Sequence, residues 1–232
     1  MIGLPKQTSG SWADDLEQIR RMQPNHVSIY MLELDEATKL GRDYYGGKIK
    51  LPEDEFITDS YSRAIDMLAA EGYEQYEISN FARPGYTSQH NLKYWLDAPY
   101  YGFGAGSHAY LNGHRYINER NLEKYIRLVE EQGSAVVEAT EITPEMHIEE
   151  GLFLGLRKIR GITLSDFNQK YNTDVLALYK DAIQRMLDAE LLEIKGDCLR
   201  LTRAGLALSN EVFQEFVTLS GNEWQRAKSE ER

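Results

Sequence analysis

The stretch PEDEFITDSYSRAIDMLAAEGYEQYEI, residues 52–78, decides the fold class. Pro52-Glu53-Asp54-Glu55 is an acidic helix start, favoured by the positive end of the helix dipole. Phe56, Tyr61, Ile65 and Leu68 recur at helical spacing and form one apolar stripe running to Ala70. Gly72 stops the helix, and Tyr73 to Ile78 read as a strand. Upstream, His26 to Leu34 read as a strand with Val27, Ile29 and Met31 on one face. Before that strand, Gly10-Ser11 precedes a helix patterned on Trp12, Leu16 and Ile19, which Pro24 closes. Ile2-Gly3-Leu4-Pro5 reads as the tail of a strand. The polar segment Lys39–Lys50, with Gly41, Gly46 and Gly47, reads as a loop. Strand, helix, strand, helix, strand predicts an α/β fold with parallel pairing and helical crossovers. A parallel sheet that opens on the last residues of a strand has an exposed edge. The expectation is therefore a missing N-terminal portion, and poor solubility or self-association of the chain by itself.

The composition sets outer bounds. The chain has 232 residues, enough for one or two domains, with 27% charged and 42% hydrophobic side chains. No apolar run is long enough to span a bilayer, and residues 1–12 lack the basic-then-apolar pattern of a signal peptide. The expected location is the cytoplasm. A net charge of -11 disfavours a whole-protein footprint for nucleic-acid phosphates. One cysteine, Cys198, provides neither an intrachain disulfide nor a cysteine-built zinc or iron–sulfur site.

From Thr143 the pattern becomes mostly helical. Thr143 suits an N-cap and Pro144 the first helical position, and Ile148, Leu152, Leu156 and Ile159 carry the helix to Gly161. A short helix over Ser165–Tyr171 and a longer one over Asp174–Glu190 follow. Leu192 to Leu201 then read as two short strands about Gly196-Asp197, and a last helix runs from Arg203 to about Leu219. This order predicts a winged-helix-like module over residues 141–219, after a first domain over 1–140 and before a polar tail at 220–232. Its recognition helix carries Asp174, Asp181, Asp188 and Glu190 against Lys180 and Arg185, a balance that repels phosphates, so no nucleic-acid partner is expected.

Candidate chemistry concentrates before Thr143. Glu77, Ser79 and Asn80 sit where a strand runs into a loop, the place where sites collect in parallel α/β folds. Glu77 is either an acid–base group or a hydrogen-bonded loop carboxylate, the latter being the commoner case. His90 lies beside Asn91 and ahead of Tyr94 and Trp95. An imidazole against aromatic surface suits axial ligation of a haem iron, and the alternative is a histidine that holds the loop by hydrogen bonds. His90, His108 and His114 are too irregularly spaced for a metal-ligand motif. Gly102, Gly104 and Gly106, followed by Ser107-His108, invite a phosphate-loop reading. However, Ala109-Tyr110-Leu111 reads as a strand turning at Asn112-Gly113, so close backbone approach is the better explanation. Thirteen of 15 tyrosines fall between Tyr30 and Tyr125. They suit either the walls of a pocket for a flat ligand or half-buried sheet positions.

Four segments together resemble the HemW-type proteins, relatives of the oxygen-independent coproporphyrinogen III oxidase HemN in the radical S-adenosylmethionine superfamily. They are Gly3-Leu4-Pro5 with Gln7-Thr8, Tyr76-Glu77-Ile78-Ser79-Asn80-Phe81-Ala82, His90-Asn91-Leu92-Lys93-Tyr94-Trp95, and Gly102-Phe103-Gly104-Ala105-Gly106-Ser107. The resemblance extends over residues 1 to about 219. It implies a partial radical-SAM-type parallel barrel followed by a HemN-type C-terminal domain. It also implies haem binding at His90, Asn91, Tyr94 and Trp95, with Glu77, Ser79, Asn80, Gly102, Gly104, Gly106 and His108 lining the pocket, and haem delivery to client proteins. The alternative within the resemblance is a coproporphyrinogen oxidase-like enzyme. The full-length family carries a 4Fe-4S cluster on three closely spaced cysteines, and S-adenosylmethionine. This chain has no such cysteines, so no catalytic residue is assigned, no metal ligand is assigned, and the chain alone is expected to lack radical activity. A homodimer and peripheral attachment to a membrane surface stay open.

Overall fold

The computed structural model describes residues 1–217. Helix α1 (Ser9–Met22) starts on a capping box in which Thr8 and Ser11 satisfy each other's backbone amides. It packs on α3 through Trp12, whose indole donates to the Ser60 carbonyl at 2.9 Å. Strand β1 (His26–Ser28) is short. Beyond it the chain continues extended, and Met31 pairs in parallel with Ile2.

The expected loop at 39–50 holds a helix, α2 (Lys39–Tyr45), capped by Thr38, whose hydroxyl accepts from the Gly41 amide. Gly41 is there for space and does not break the helix: a Cβ at this position would sit 2.0 Å from the Asp35 carbonyl oxygen. Helix α3 (Asp54–Ala70) buries Tyr61, Ala64 and Leu68, and ends before Gly72 at φ +82.

The first sheet corrects the parallel expectation. Strands β2 (Glu74–Gln75) and β3 (Asn80–Ala82) pair antiparallel, and β3 pairs antiparallel with β1, giving the order β1-β3-β2. The chain reverses between Tyr76 and Asn80, so β3 inserts between two strands that run in the same direction. Among the described residues the parallel pairing left is the isolated Ile2–Met31 bridge. The strand expected over Tyr73–Ile78 is therefore two residues long, and its last residues turn away to another partner.

Helix α4 (Gln89–Trp95) leads to a second antiparallel sheet of β4 (His108–Leu111), β5 (His114–Asn118) and β6 (Val136–Glu141). Asn112 and Gly113, at φ +52 and +74, make the tight turn between β4 and β5. Helix α5 (Leu122–Gln132) links β5 to β6 and buries none of its residues.

The last third is built on α6 (Pro144–Leu156), capped by Thr143 as expected but ending five residues before Gly161. Then come β7 (Ile162–Thr163), α7 (Leu164–Tyr171), α8 (Val175–Leu178) and α9 (Lys180–Asp188). The single helix expected over Asp174–Glu190 is thus broken at Tyr179, which leaves helical geometry at φ -109, ψ 29. Strands β8 (Leu192–Lys195) and β9 (Cys198–Leu201) form the expected hairpin and complete a third sheet, β7-β9-β8. Helices α10 (Arg203–Ala207) and α11 (Ser209–Gln214) replace one continuous helix, with a break at Leu208. The end of that expected helix, at 218–219, and the tail lie outside the described residues.

The first and last thirds share one core, in which Leu68, Ile78, Leu152, Leu156, Leu199 and Val212 are all nearly inaccessible. Their backbones also join. Ile78 N donates to Arg157 O at 3.1 Å, and Ile159 N donates to Tyr76 O at 3.2 Å, so the strand end that leaves the first sheet pairs with the end of α6.

Candidate functional site

Helix α4 carries the four motif residues and corrects the loop expected around His90. Ser88 caps it by accepting from the Asn91 amide. The Tyr76 hydroxyl holds that cap to β1, lying 3.4 Å from Ser88 N and 2.9 Å from His26 Nε2. Residues four apart share a helix face, so His90 lies with Tyr94 and Asn91 with Trp95. The His90 and Tyr94 rings meet edge to face at 5.0 Å, and Tyr94 meets Tyr100 at 4.6 Å. His90 is exposed, and its ring nitrogens have no hydrogen-bond partner among the described residues. The alternative in which it holds the loop by hydrogen bonding thus finds no bond here.

The other face of α4 is packed. The Arg157 guanidinium lies 4.5 Å over the Trp95 ring and 5.6 Å from Phe153, and reaches to 4.0 Å from Glu77 Oε2. Glu77 is fully buried. Its Oε1 accepts from the Ser79 amide at 3.1 Å and from the Asn80 side-chain amide, while Asn80 Oδ1 accepts from Ser28 Oγ. These bonds hold the reversal between β2 and β3. Burial raises the Glu77 carboxyl pKa and lowers that of Arg157, each against the opposing charge of the other. Glu77 Oε2, Arg157 Nε and Trp95 Nε1 are buried without hydrogen-bond partners. Glu77, Ser79 and Asn80 therefore lie behind α4 in a packed turn, and not on the His90 face.

The glycine-rich loop is folded onto β5. A Cβ on Gly102 would sit 2.1 Å from the His108 carbonyl oxygen, which is the close backbone approach expected of it. Gly104 and Gly106 have φ of +101 and +70. Ser107 Oγ donates to Gly104 O at 2.7 Å, and Asn118 Nδ2 donates to Ser107 Oγ at 2.9 Å. His108 opens β4, half-buried, and no helix follows for an anion to cap.

A polar cluster absent from the sequence reading closes α4. Asp97, at φ +50, accepts from His147 Nε2 at 2.7 Å, Tyr171 OH at 2.9 Å and Lys170 Nζ at 3.1 Å, with its side chain 5% exposed. Burial alone would raise the pKa of this carboxyl. The His147 bond and the Lys170 charge outweigh it and hold the pKa below the ordinary carboxylate range. No local signal points to this group, because Asp97 lies 50 to 74 residues from its partners. Beside it is a cleft of about 400 Å³, with Trp95, Phe167 and Tyr171 among its apolar walls and Lys158, Arg160 and Lys170 among its charged ones.

Among the described residues no three His, Cys, Asp or Glu side chains gather as a metal site, and Cys198 is a half-buried free thiol in β9. This chain's donor set does not fit a cluster held by three thiolates. The imidazole of His90, exposed and backed by Tyr94, fits the kind of nitrogen donor that would hold a haem iron.

Residues 142–208 match the HemN C-terminal domain family. The chain is 35% identical over 217 residues to the heme chaperone HemW of Bacillus subtilis (strain 168), covering 94% of this chain and 57% of that protein. With the heme chaperone HemW of Lactococcus lactis subsp. lactis the identity is 34%, over the same shares. With the radical S-adenosyl methionine domain-containing protein 1, mitochondrial, of Danio rerio it is 30%, over 91% of this chain and 50% of that protein. Among solved structures, coproporphyrinogen III oxidase (HemN) from Escherichia coli, described as a radical SAM enzyme, superposes with a TM-score of 0.73. That match is 20% identical in sequence and covers 94% of this chain and 53% of that one, a likeness of fold. The chain spans about half the length of the curated relatives it matches. On these similarities the chain is related over most of its length to the HemW-type, HemN-related proteins.

Proposed function

We propose that this chain binds haem through α4 and contributes to handing it to client proteins. The observation that carries the reading is His90: an exposed imidazole with no hydrogen-bond partner among the described residues, seated edge-on against Tyr94, which rests on Tyr100. A neutral imidazole offers a lone pair to iron, and the two tyrosine rings give a tetrapyrrole an apolar surface. Asn91 and Trp95 support this face from behind: Trp95 is pinned under Arg157 and keeps α4 docked. Glu77, Ser79 and Asn80 hold the turn that carries Arg157's partner strand. Gly102, Gly104, Gly106 and His108 shape the loop that positions Tyr100. When bound, haem would be the cargo that a client receives intact.

Supporting this reading are the names of relatives such as the Bacillus subtilis heme chaperone. The competing reading, an oxidase-like enzyme of porphyrin synthesis, has the fold likeness to HemN in its favour. The cluster and S-adenosylmethionine belong, in this proposal, to the whole family protein. Residues 1–140 and 141–217 serve as two domains, the second winged-helix-like, as the order α6, β7, α7, α8–α9, β8–β9 supports. Nucleic acid is not a partner in this proposal. The proposed setting is the cytoplasm, where a homodimer or peripheral contact with a membrane is compatible with it. No described helix is long and apolar enough to cross a membrane.

Hemin titration followed at the Soret band tests the proposal. His90→Ala is expected to shift the band and weaken binding by tenfold or more, while Tyr94→Ala weakens binding without changing the ligand-field signature. An unchanged spectrum and affinity in His90→Ala refutes the assignment.

A further inference from the structure

The cleft beside Trp95 holds positive charge that the fold does not use. Lys158 lines it, half-buried, and its ammonium has no hydrogen bond or ion pair among the described residues. Arg160, exposed, lines the same cleft and has no carboxylate partner among the described residues. Lys170, the third cation, is committed: its Nζ bonds Asp97 Oδ2 and the Leu96 carbonyl, both at 3.1 Å. Asp97 in turn is saturated by His147 and Tyr171, so its charge is not available to Lys158. Asp166 is the remaining acid on the wall. In a chain of net charge -11, an unpaired, desolvated ammonium is an anomaly. Burial and the neighbouring Lys170 charge both depress the Lys158 pKa, a cost that an anion in the cleft would relieve.

The walls narrow the class of anion. Trp95, Phe167 and Tyr171 favour a ligand with an apolar, aromatic body, and a volume of about 400 Å³ falls within the range of small-molecule sites. Trp95 lines the cleft from the last turn of α4, and His90 lies about 7.5 Å back along the same helix on its neighbouring face, so a flat ligand seated on His90 reaches the cleft by extending past the edge of α4. We infer that this cleft receives the carboxylates of the tetrapyrrole, with Lys158 as the residue that pairs a propionate and Arg160 assisting at the mouth. The inference rests on the haem reading of α4, and adds to it a specificity for the acid form of the ligand.

The test titrates the 232-residue chain with hemin and with hemin dimethyl ester, whose propionates are masked. Wild type is expected to bind hemin roughly tenfold more tightly than the ester, the size of one hydrogen bond between charged groups. Lys158→Gln removes that preference by weakening hemin about tenfold while leaving the ester unchanged, and Lys158→Arg restores it. Without ligand, Lys158→Gln melts no lower than wild type, because it deletes an unpaired, half-buried charge. Equal binding of hemin and ester by wild type, or wild-type hemin affinity in Lys158→Gln, overturns the inference and leaves the His90 reading standing. Absence of any Soret change with either compound overturns both.

Discussion

Replacing Asp97 by Asn isolates the charge that clamps α4. Asparagine is nearly isosteric and tolerates φ of +50 as readily as aspartate, so the backbone adds little to the cost. The carboxylate accepts three bonds at 2.7, 2.9 and 3.1 Å with its side chain 5% exposed. An amide keeps an oxygen for one or two donors and turns its NH2 against the others. Breaking a buried charge-assisted set by removing one partner costs about 3–5 kcal/mol, and the exposure of Lys170 puts this case near the lower end, about 3 kcal/mol. For a chain of this size, that lowers the melting temperature by about 6–12 °C. The sign with pH follows from the depressed pKa of Asp97. Its stabilisation is fully present above the unfolded carboxyl value, near about 3.9, and is lost as pH falls through the lower folded value. Thermal and urea unfolding of wild type and Asp97→Asn at pH 7 and pH 3 are the assay. A gap of about 3 kcal/mol at pH 7 that closes toward pH 3 is expected. A gap below about 0.5 kcal/mol at pH 7, or one independent of pH, refutes the account of this cluster.

Further outcomes follow from the packed seam and the glycine-rich loop. Arg157→Met strands the buried Glu77 carboxylate and costs about 3 kcal/mol at neutral pH, measured by urea unfolding. Because the Glu77 pKa is already raised, that loss shrinks as pH is lowered and the carboxyl protonates, and a loss that grows on acidification contradicts it. Glu77→Gln, which keeps an acceptor for Ser79 and Asn80, is milder than Arg157→Met and shows no such pH dependence. Gly102→Ala forces a Cβ against the His108 carbonyl and destabilises by about 1–3 kcal/mol, whereas Gly104→Ala meets no atom and pays only for its φ of +101. Equal melting temperatures for Gly102→Ala and wild type would show that the loop relaxes.

What the sequence made legible was local. The Thr143 cap with Pro144, the Asn112-Gly113 turn, the Gly196 turn and the α3 stripe are each decided within a few residues, and each is found in place. The parallel sheet failed because the order of elements leaves open where a strand end goes next. Here a buried carboxylate at Glu77 turns the chain, and β3 slips between β1 and β2. Helices α2 and α4 escaped because their caps, Thr38 and Ser88, precede short polar turns whose glycines and amides look like loop. The four motif residues were readable as a set. Their division between His90, exposed and edge-on to Tyr94, and Trp95, covered by Arg157, follows from helical geometry that a loop reading concealed. The Asp97 cluster joins α4, α6 and α7 across long stretches of chain, and nothing in local spacing could announce it.

The two backbone hydrogen bonds between Tyr76–Ile78 and Arg157–Ile159 have an evolutionary corollary. A module grafted elsewhere must carry its own edges, and the C-terminal third does not. Severed from the first sheet, it would expose the amide of Ile159 and strip the Leu152–Leu156 flank of its cover. Recombination at that junction is therefore penalised, and the two parts are expected to be inherited as one indivisible block.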